Sequence, residues 1–388
     1  MWGTINAGMG HPKFPTTRMS SPELISRPSN SHPADGSRAS GAASTNLVAN
    51  DFVPRRFLRG GHLQTIAGNF IRRSNGLPEA EERVFEIQPG GEIEPGVRLL
   101  CHCHWQPEPQ SKLTLLIVHG LEGSSRSRYV IGTGSRAWRQ GWNVVRMNIR
   151  GCGGTEHLSS TLYHSGLSQD VEHLVAAMIA SGLQRITLVG FSMGGNQVLR
   201  AAGRWGMAAP PQVVAVAAIS PSCDLALSSD RLHRRDNRLY EWWFVQALRR
   251  SFRRKADLWP GKFDTALLER VRSVRDFDEH ITARYMGFCG ADDYYDKASS
   301  MHVLDRIAIP ALVIHADDDP FIVISEASRR KLEANPKITF LNTLRGGHCA
   351  FLAAPSRDGS DDGHWAERKI IEFFAQVEGS PASPASLF

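Results

Sequence analysis

The side chains best suited to chemistry in this chain are Ser192, His348 and a run of three aspartates, Asp317, Asp318 and Asp319. Ser192 lies in Gly190-Phe191-Ser192-Met193-Gly194, a G-x-S-x-G pattern with an apolar run before it (ITLVGF) and a helical pattern after it (GGNQVLRAAGRWG). Such a pattern arises by chance in Gly- and Ser-rich chains; a strand before and a helix after give it meaning. Glycines two before and two after the serine allow a tight reversal. The hydroxyl then projects above the carboxyl end of a sheet, and the Met193 N–H faces a developing oxyanion. Such a serine would be a nucleophile for acyl transfer. The plainer alternative is a strand-to-helix turn with a buried serine.

A serine hydroxyl needs a base titrating near neutrality, and histidine is the usual one. Of fifteen histidines, His348 is best placed, after the last apolar run in Leu344-Arg345-Gly346-Gly347-His348. His157, His164 and His173 precede the serine and His364 borders the final helical segment, so these are expected on the surface or in packing. An acid preceding the base would complete a nucleophile–acid–base chain order. ALVIHADDDPF offers three aspartates leaving one strand; spacing from the small residue Ala316 selects Asp319, with Asp318 the alternative. A second oxyanion donor is expected from the loop His119-Gly120-Leu121-Glu122-Gly123, where Gly120 lets the Leu121 N–H face Ser192. His119 is expected to brace that loop and to border the substrate.

These residues need a scaffold, and the apolar pattern supplies one. RVFEIQP and VRLLCHCHW form an opening antiparallel pair across a Pro/Gly turn. LTLLIV, WNVVRMNI, ITLVGF, VVAVAAI, ALVIHA and ITFLNTL follow as near-continuous apolar strands, expected where both sheet faces are covered. Helical patterns lie between them, so the fold class is α/β, a mostly parallel eight-stranded sheet with helices on both faces. Residues 224–300 interrupt the alternation and read as a helical cap insertion. The domain is expected over 49–379, flanked by a disordered N-terminal extension (1–48) and a disordered tail (380–388).

Composition sets the outer limits. Hydrophobic content of 41% and charged content of 22% are ordinary for a globular chain. No apolar run approaches the about 20 residues that span a bilayer, and the first residues lack a secretory apolar region, so a cytoplasmic site is expected. The six cysteines form no disulfide framework. In Cys101-His102-Cys103-His104, neighbours point to opposite faces of a strand and cannot converge on one ion. No metal or cofactor is expected. No sequence feature specifies an oligomeric state.

Between residues 231 and 255 nine Lys/Arg face two acids, a local excess of seven positive charges in a chain of net +6. A solvated face on a packed cap helix is the commoner reading of such arginines, and peripheral contact with an anionic membrane is the functional one. No nucleic-acid-binding motif accompanies them. The aromatic residues of the same stretch, Trp242 and Trp243 among them, are expected to cover a substrate pocket.

Several segments carry a family resemblance. His62-Leu63-Gln64-Thr65, Arg150-Gly151-Cys152-Gly153-Gly154-Thr155, Leu162-Tyr163-His164-Ser165-Gly166 and the HADDDPF loop resemble elements of the YheT-like branch of the AB hydrolase superfamily, the AB hydrolase 4 family. The likeness runs from about residue 50 to about 378; one departure is Gly60-Gly61, where the family pattern has Asn-Pro. It implies an α/β-hydrolase fold and a carboxylic-ester hydrolase acting on short- or medium-chain acyl esters, acylglycerols or phospholipids. Some members transfer acyl groups to alcohols, and a hydrolase fold reused for binding is the non-catalytic alternative. A small-molecule acyl ester is the expected substrate. Residues alone give His62-Thr65 no catalytic role.

Overall fold

The computed structural model describes residues 50–71, 73, 75–91, 96–356 and 361–379; the expected N-terminal extension and C-terminal tail lie outside them. Eight strands form one sheet: β1 (Glu81–Gln88), β2 (Val97–His104), β3 (Leu113–Val118), β4 (Asn143–Met147), β5 (Arg185–Phe191), β6 (Val213–Ile219), β7 (Ala311–Ala316) and β8 (Ile338–Thr343). Their spatial order is β1-β2-β4-β3-β5-β6-β7-β8. β1 pairs antiparallel with β2, and β2 with β4, while every later pairing is parallel. The sheet is thus mostly parallel, and Ser192 follows its central strand β5 directly.

Among the described residues the helices are α1 (Gly61–Phe70), α2 (Arg128–Arg139), α3 (Ser168–Ala180), α4 (Met193–Trp205), α5 (Leu225–Leu232), α6 (Arg238–Leu258), α7 (Val274–Phe277), α8 (Ala283–Met286), α9 (Ala291–Ala298), α10 (Glu326–Ala334) and α11 (Trp365–Gly379). All of β3, β4 and β7 is buried, which explains their unbroken apolar character: helices cover both faces. One core cluster joins Leu116, Val145, Leu188 and Val216 to Val171, Leu174 and Val198 of α3 and α4. The other joins Leu115, Ile117, Val189 and Ala217 to Val130 of α2 and to Ile370 and Phe374 of α11. Alternate residues of each strand therefore feed opposite cores.

Between β6 and β7 the chain leaves the sheet for helices α5 to α9, with a π-helical turn at Asp278–Thr282. These helices hold their own apolar cluster, Val245, Leu248, Phe252, Leu268, Val271, Phe277 and Ile281, against which Leu121, Leu162 and Tyr163 pack. The cationic run within α6 divides along its length. Arg254 pairs with Glu156 at 2.7 Å, and Lys255 is buried with its ammonium donating to the Glu156 carbonyl at 3.0 Å. Burial, only partly countered by Glu156, brings the Lys255 pKa down to about 8.

Candidate active site

The turn after β5 is tight enough to dictate its glycines. A Cβ on Gly190 would lie 2.1 Å from the Gly194 carbonyl oxygen, and one on Gly194 would lie 2.4 Å from the His119 carbonyl oxygen. Between them Ser192 takes φ 54° and ψ −117°, a conformation costly for any residue with a side chain. Strain of this kind is retained where the surrounding structure holds it. Here the Ser192 N–H donates to the Ile219 carbonyl at 2.9 Å, and its carbonyl accepts from Asn196 at 3.1 Å. Ser192 caps α4 at its N-terminus, where backbone N–H groups lack helical partners and favour negative charge.

The loops carrying Asp319 and His348 meet across the ends of β7 and β8. Asp319 turns back through its N–H to the Ala316 carbonyl at 3.0 Å. Its Oδ1 accepts from the Phe321 and Ile322 N–H groups at 2.9 and 3.0 Å, and its Oδ2 lies 2.8 Å from His348 Nδ1. Burial would raise its pKa, but the neighbouring imidazole and these bonds together hold it below the usual carboxylate value. The same burial would lower His348, and the Asp319 charge overrides it, raising the imidazole well above its ordinary value. The other two aspartates do different work. Asp318 Oδ1 accepts from the Gly347 N–H at 2.8 Å, and Asp317 Oδ1 pairs with Asn342 and Arg329.

Ser192, Met193, Leu121 and His348 all line one cavity, walled by Leu232, Phe244, Leu248, Phe252, Phe277 and Ile322. Gly120 packs directly on Ser192, since a Cβ there would sit 3.2 Å from Ser192 Cβ. Glu122, at φ 53°, anchors this loop to the helical insertion: its carboxylate accepts from Tyr163 and Ser251, each at 2.6 Å.

Three expected substrate contacts fall outside the cavity wall. His119 is fully buried; its Nε2 accepts from the Ile149 N–H at 3.0 Å, so Nδ1 carries the proton and donates to the Gly120 carbonyl at 2.7 Å. Burial brings its pKa down to about 4, so it is a neutral brace of the loop, and it does not line the cavity. Trp242 and Trp243 are 60% and 52% exposed and face outward. Helix phase explains the difference, because Phe244 and Leu248, one turn apart on α6, take the cavity side.

Sequence reasoning left His62-Leu63-Gln64-Thr65 without a role, and the structure places it beneath His348. Thr65 Oγ1 accepts from the His348 N–H at 2.8 Å while donating to the Gly61 carbonyl at 2.7 Å. Gln64 clamps Leu352 from both sides, accepting from its N–H at 2.7 Å and donating to its carbonyl at 3.1 Å. A Cβ on Gly61 would fall 1.8 Å from the Asp318 carbonyl oxygen, so glycine lets α1 approach this closely. The motif was the available signal; its partners lie 283 and 288 residues away. Thr65→Val is expected to cost about 1–2 kcal/mol of positioning, or roughly tenfold in kcat with KM little changed. Thr65→Ser should restore most of it. Steady-state kinetics of the two variants checks this, and equal losses in both would contradict it.

A model of the α/β hydrolase fold matches residues 114–355. A protein of Escherichia coli (strain K12) named "Putative esterase YheT" is 32% identical over 313 residues, covering 78% of this chain and 87% of its own. Phospholipase ABHD3 of Homo sapiens is 26% identical, with 79% of this chain and 75% of that one covered. Among solved structures, a 2,6-dihydroxy-pseudo-oxynicotine hydrolase superposes with a TM-score of 0.50 at 14% identity, over 84% of this chain and 74% of its own. That last likeness is one of fold.

Proposed function

The chain belongs to the YheT-like branch of the α/β hydrolase family, and on that premise we propose a carboxylic-ester hydrolase working through an acyl-enzyme on Ser192. One conjunction carries the reading: a strained serine and an aspartate-held histidine face the same apolar cavity. His348 Nε2 takes the Ser192 proton as Oγ bonds to the ester carbon, and the carbonyl π pair moves onto oxygen. The Leu121 and Met193 N–H groups hold that oxyanion. Its collapse breaks the bond to the alcohol oxygen, which leaves with the proton from His348. Water then gives His348 a proton and attacks the acyl carbon. As that intermediate collapses the bond to Ser192 Oγ breaks, Oγ takes the proton back from His348, and the acid is released.

The wall of Leu232, Phe244, Leu248, Phe252, Phe277 and Ile322 suits an aliphatic acyl chain, and helices α5 to α9 act as the cap over it. Each methylene buried there contributes about 0.8 kcal/mol, roughly fourfold in kcat/KM. A series of p-nitrophenyl esters from acetate upward tests this. The expected profile climbs by about that factor per carbon through the medium chains and then levels. A profile that falls from acetate onward contradicts the acyl-pocket assignment. Among the described residues no helix is long and apolar enough to cross a membrane.

A further inference from the structure

We propose that the surface formed by α1 and the N-terminal half of α6 docks on an anionic lipid bilayer, setting the cavity that holds Ser192 against the membrane. The proposal rests on the ester-hydrolase reading only for what is cleaved after docking.

Helix α1 is built inside out. Its buried face is Gly61, Gln64, Thr65 and Gly68, while Leu63, Ile66 and Phe70, at helical spacing, are 54%, 45% and 73% exposed. The start of α6 adds Leu239, Trp242 and Trp243, which are 74%, 60% and 52% exposed. The two groups adjoin, because the His62 ring stacks on Tyr240 at 5.7 Å and 12°. Of thirteen large apolar side chains exposed among the described residues, eight fall within 53–70 and 239–243. Such clustering marks a contact surface, and tryptophan favours the membrane–water boundary.

The charge around these residues selects the partner. Arg55, Arg56 and Arg59 flank α1, and Arg234, Arg235 and Arg238 flank the start of α6, all exposed. The acids nearby offset one of them, Arg234. Asp236 lies 3.5 Å from Arg234, Glu241 is buried against His233, and Asp51 is turned to Lys369 at 3.0 Å. A second copy of this chain would set arginine against arginine. Residues 1–49 carry four Lys/Arg against two acids and offer no complementary charge either. Nucleic acid would meet the arginines but leave Leu63, Ile66 and Phe70 without an apolar partner. An anionic bilayer answers both.

The surface is continuous with the site. The Trp243 ring lies 5.2 Å from Phe244, and the Tyr240 ring 4.7 Å from Phe321. Both phenylalanines line the cavity, and Phe321 is 4.9 Å from the His348 ring. A docked bilayer would therefore lie two aromatic rings from the base.

Sedimentation of the full chain with vesicles of phosphatidylcholine alone, and of phosphatidylcholine mixed with phosphatidylglycerol, tests the proposal. The wild type is expected to partition onto the mixed vesicles and not onto neutral ones. The pair Phe70→Ser with Trp242→Ser, and separately Arg235→Glu with Arg238→Glu, should each weaken that partition about tenfold or more. Hydrolysis of soluble p-nitrophenyl butyrate should be unchanged in both, showing that they fold. Wild-type binding that is absent, or that survives both variants, overturns the proposal. Vesicle binding without hydrolysis of any ester would leave docking in place and sink the ester-hydrolase reading instead.

Discussion

Ser192→Ala is expected to lower kcat for ester hydrolysis by about 10⁵- to 10⁶-fold while leaving the protein folded. Alanine removes the one atom proposed to bond to the acyl carbon. It leaves the turn, whose geometry is fixed by backbone bonds from Ser192 to Ile219 and Asn196. KM should change little, because the cavity wall is intact. A residual rate above that of water is expected, because the proposed Leu121 and Met193 donors and the cavity would still orient an ester for attack by solvent. Steady-state turnover, set beside a thermal melt of both proteins, checks the prediction. A fall of less than a hundredfold in a folded variant would place the chemistry elsewhere.

Asp319→Asn should cost about 10⁴-fold in kcat, by way of a proton on the wrong nitrogen. The Phe321 and Ile322 N–H groups can still be met by the asparagine carbonyl oxygen, which leaves its NH₂ facing His348 Nδ1. The imidazole must then offer Nδ1 as acceptor and carry its proton on Nε2, where a base needs a lone pair. The pH profile should move as well. His348 acts as a base only when neutral, so activity appears as pH rises through its pKa. With Asp319 raising that pKa, the acidic limb of the wild-type kcat/KM should lie above the ordinary histidine value of about 6.5. Losing the carboxylate should shift the limb of the residual activity downward. Asp318→Asn is the internal contrast, since its amide oxygen can still accept from Gly347. A change within about threefold is expected there, and a larger loss at position 318 than at 319 would reverse the assignment of the acid.

The contrast between those neighbours shows where the sequence stops being informative. The sheet was legible because runs such as Leu113–Val118 and Ala311–Ala316 are buried on both faces, and burial of that kind leaves an unbroken apolar trace. Ser192 was legible for a related reason: collisions at Gly190 and Gly194 write the turn into glycine spacing. Three aspartates leaving one strand carry no such mark. Their roles depend on the Ala316–Asp319 turn and on which loop lies opposite each carboxylate. Trp242 and Trp243 were misplaced because composition shows that α6 is amphipathic without fixing its rotation over the cavity. Thr65 and Gln64 were visible as a motif and silent as to cause, because what they hold is a loop at 348–352. His119 was half legible: its bracing followed from a strand end beside glycine, whereas its complete burial needed the packed core.

The central claim is that Ser192 becomes covalently acylated, with His348 neutral and oriented by Asp319. Intact-mass and peptide mass spectrometry after treatment with a fluorophosphonate tests it most directly. The expected result is one phosphonyl adduct on the peptide containing Ser192, formed faster as pH rises through the His348 titration, and no adduct with Ser192→Ala. An unmodified wild type, or an adduct that persists in Ser192→Ala, would contradict the account.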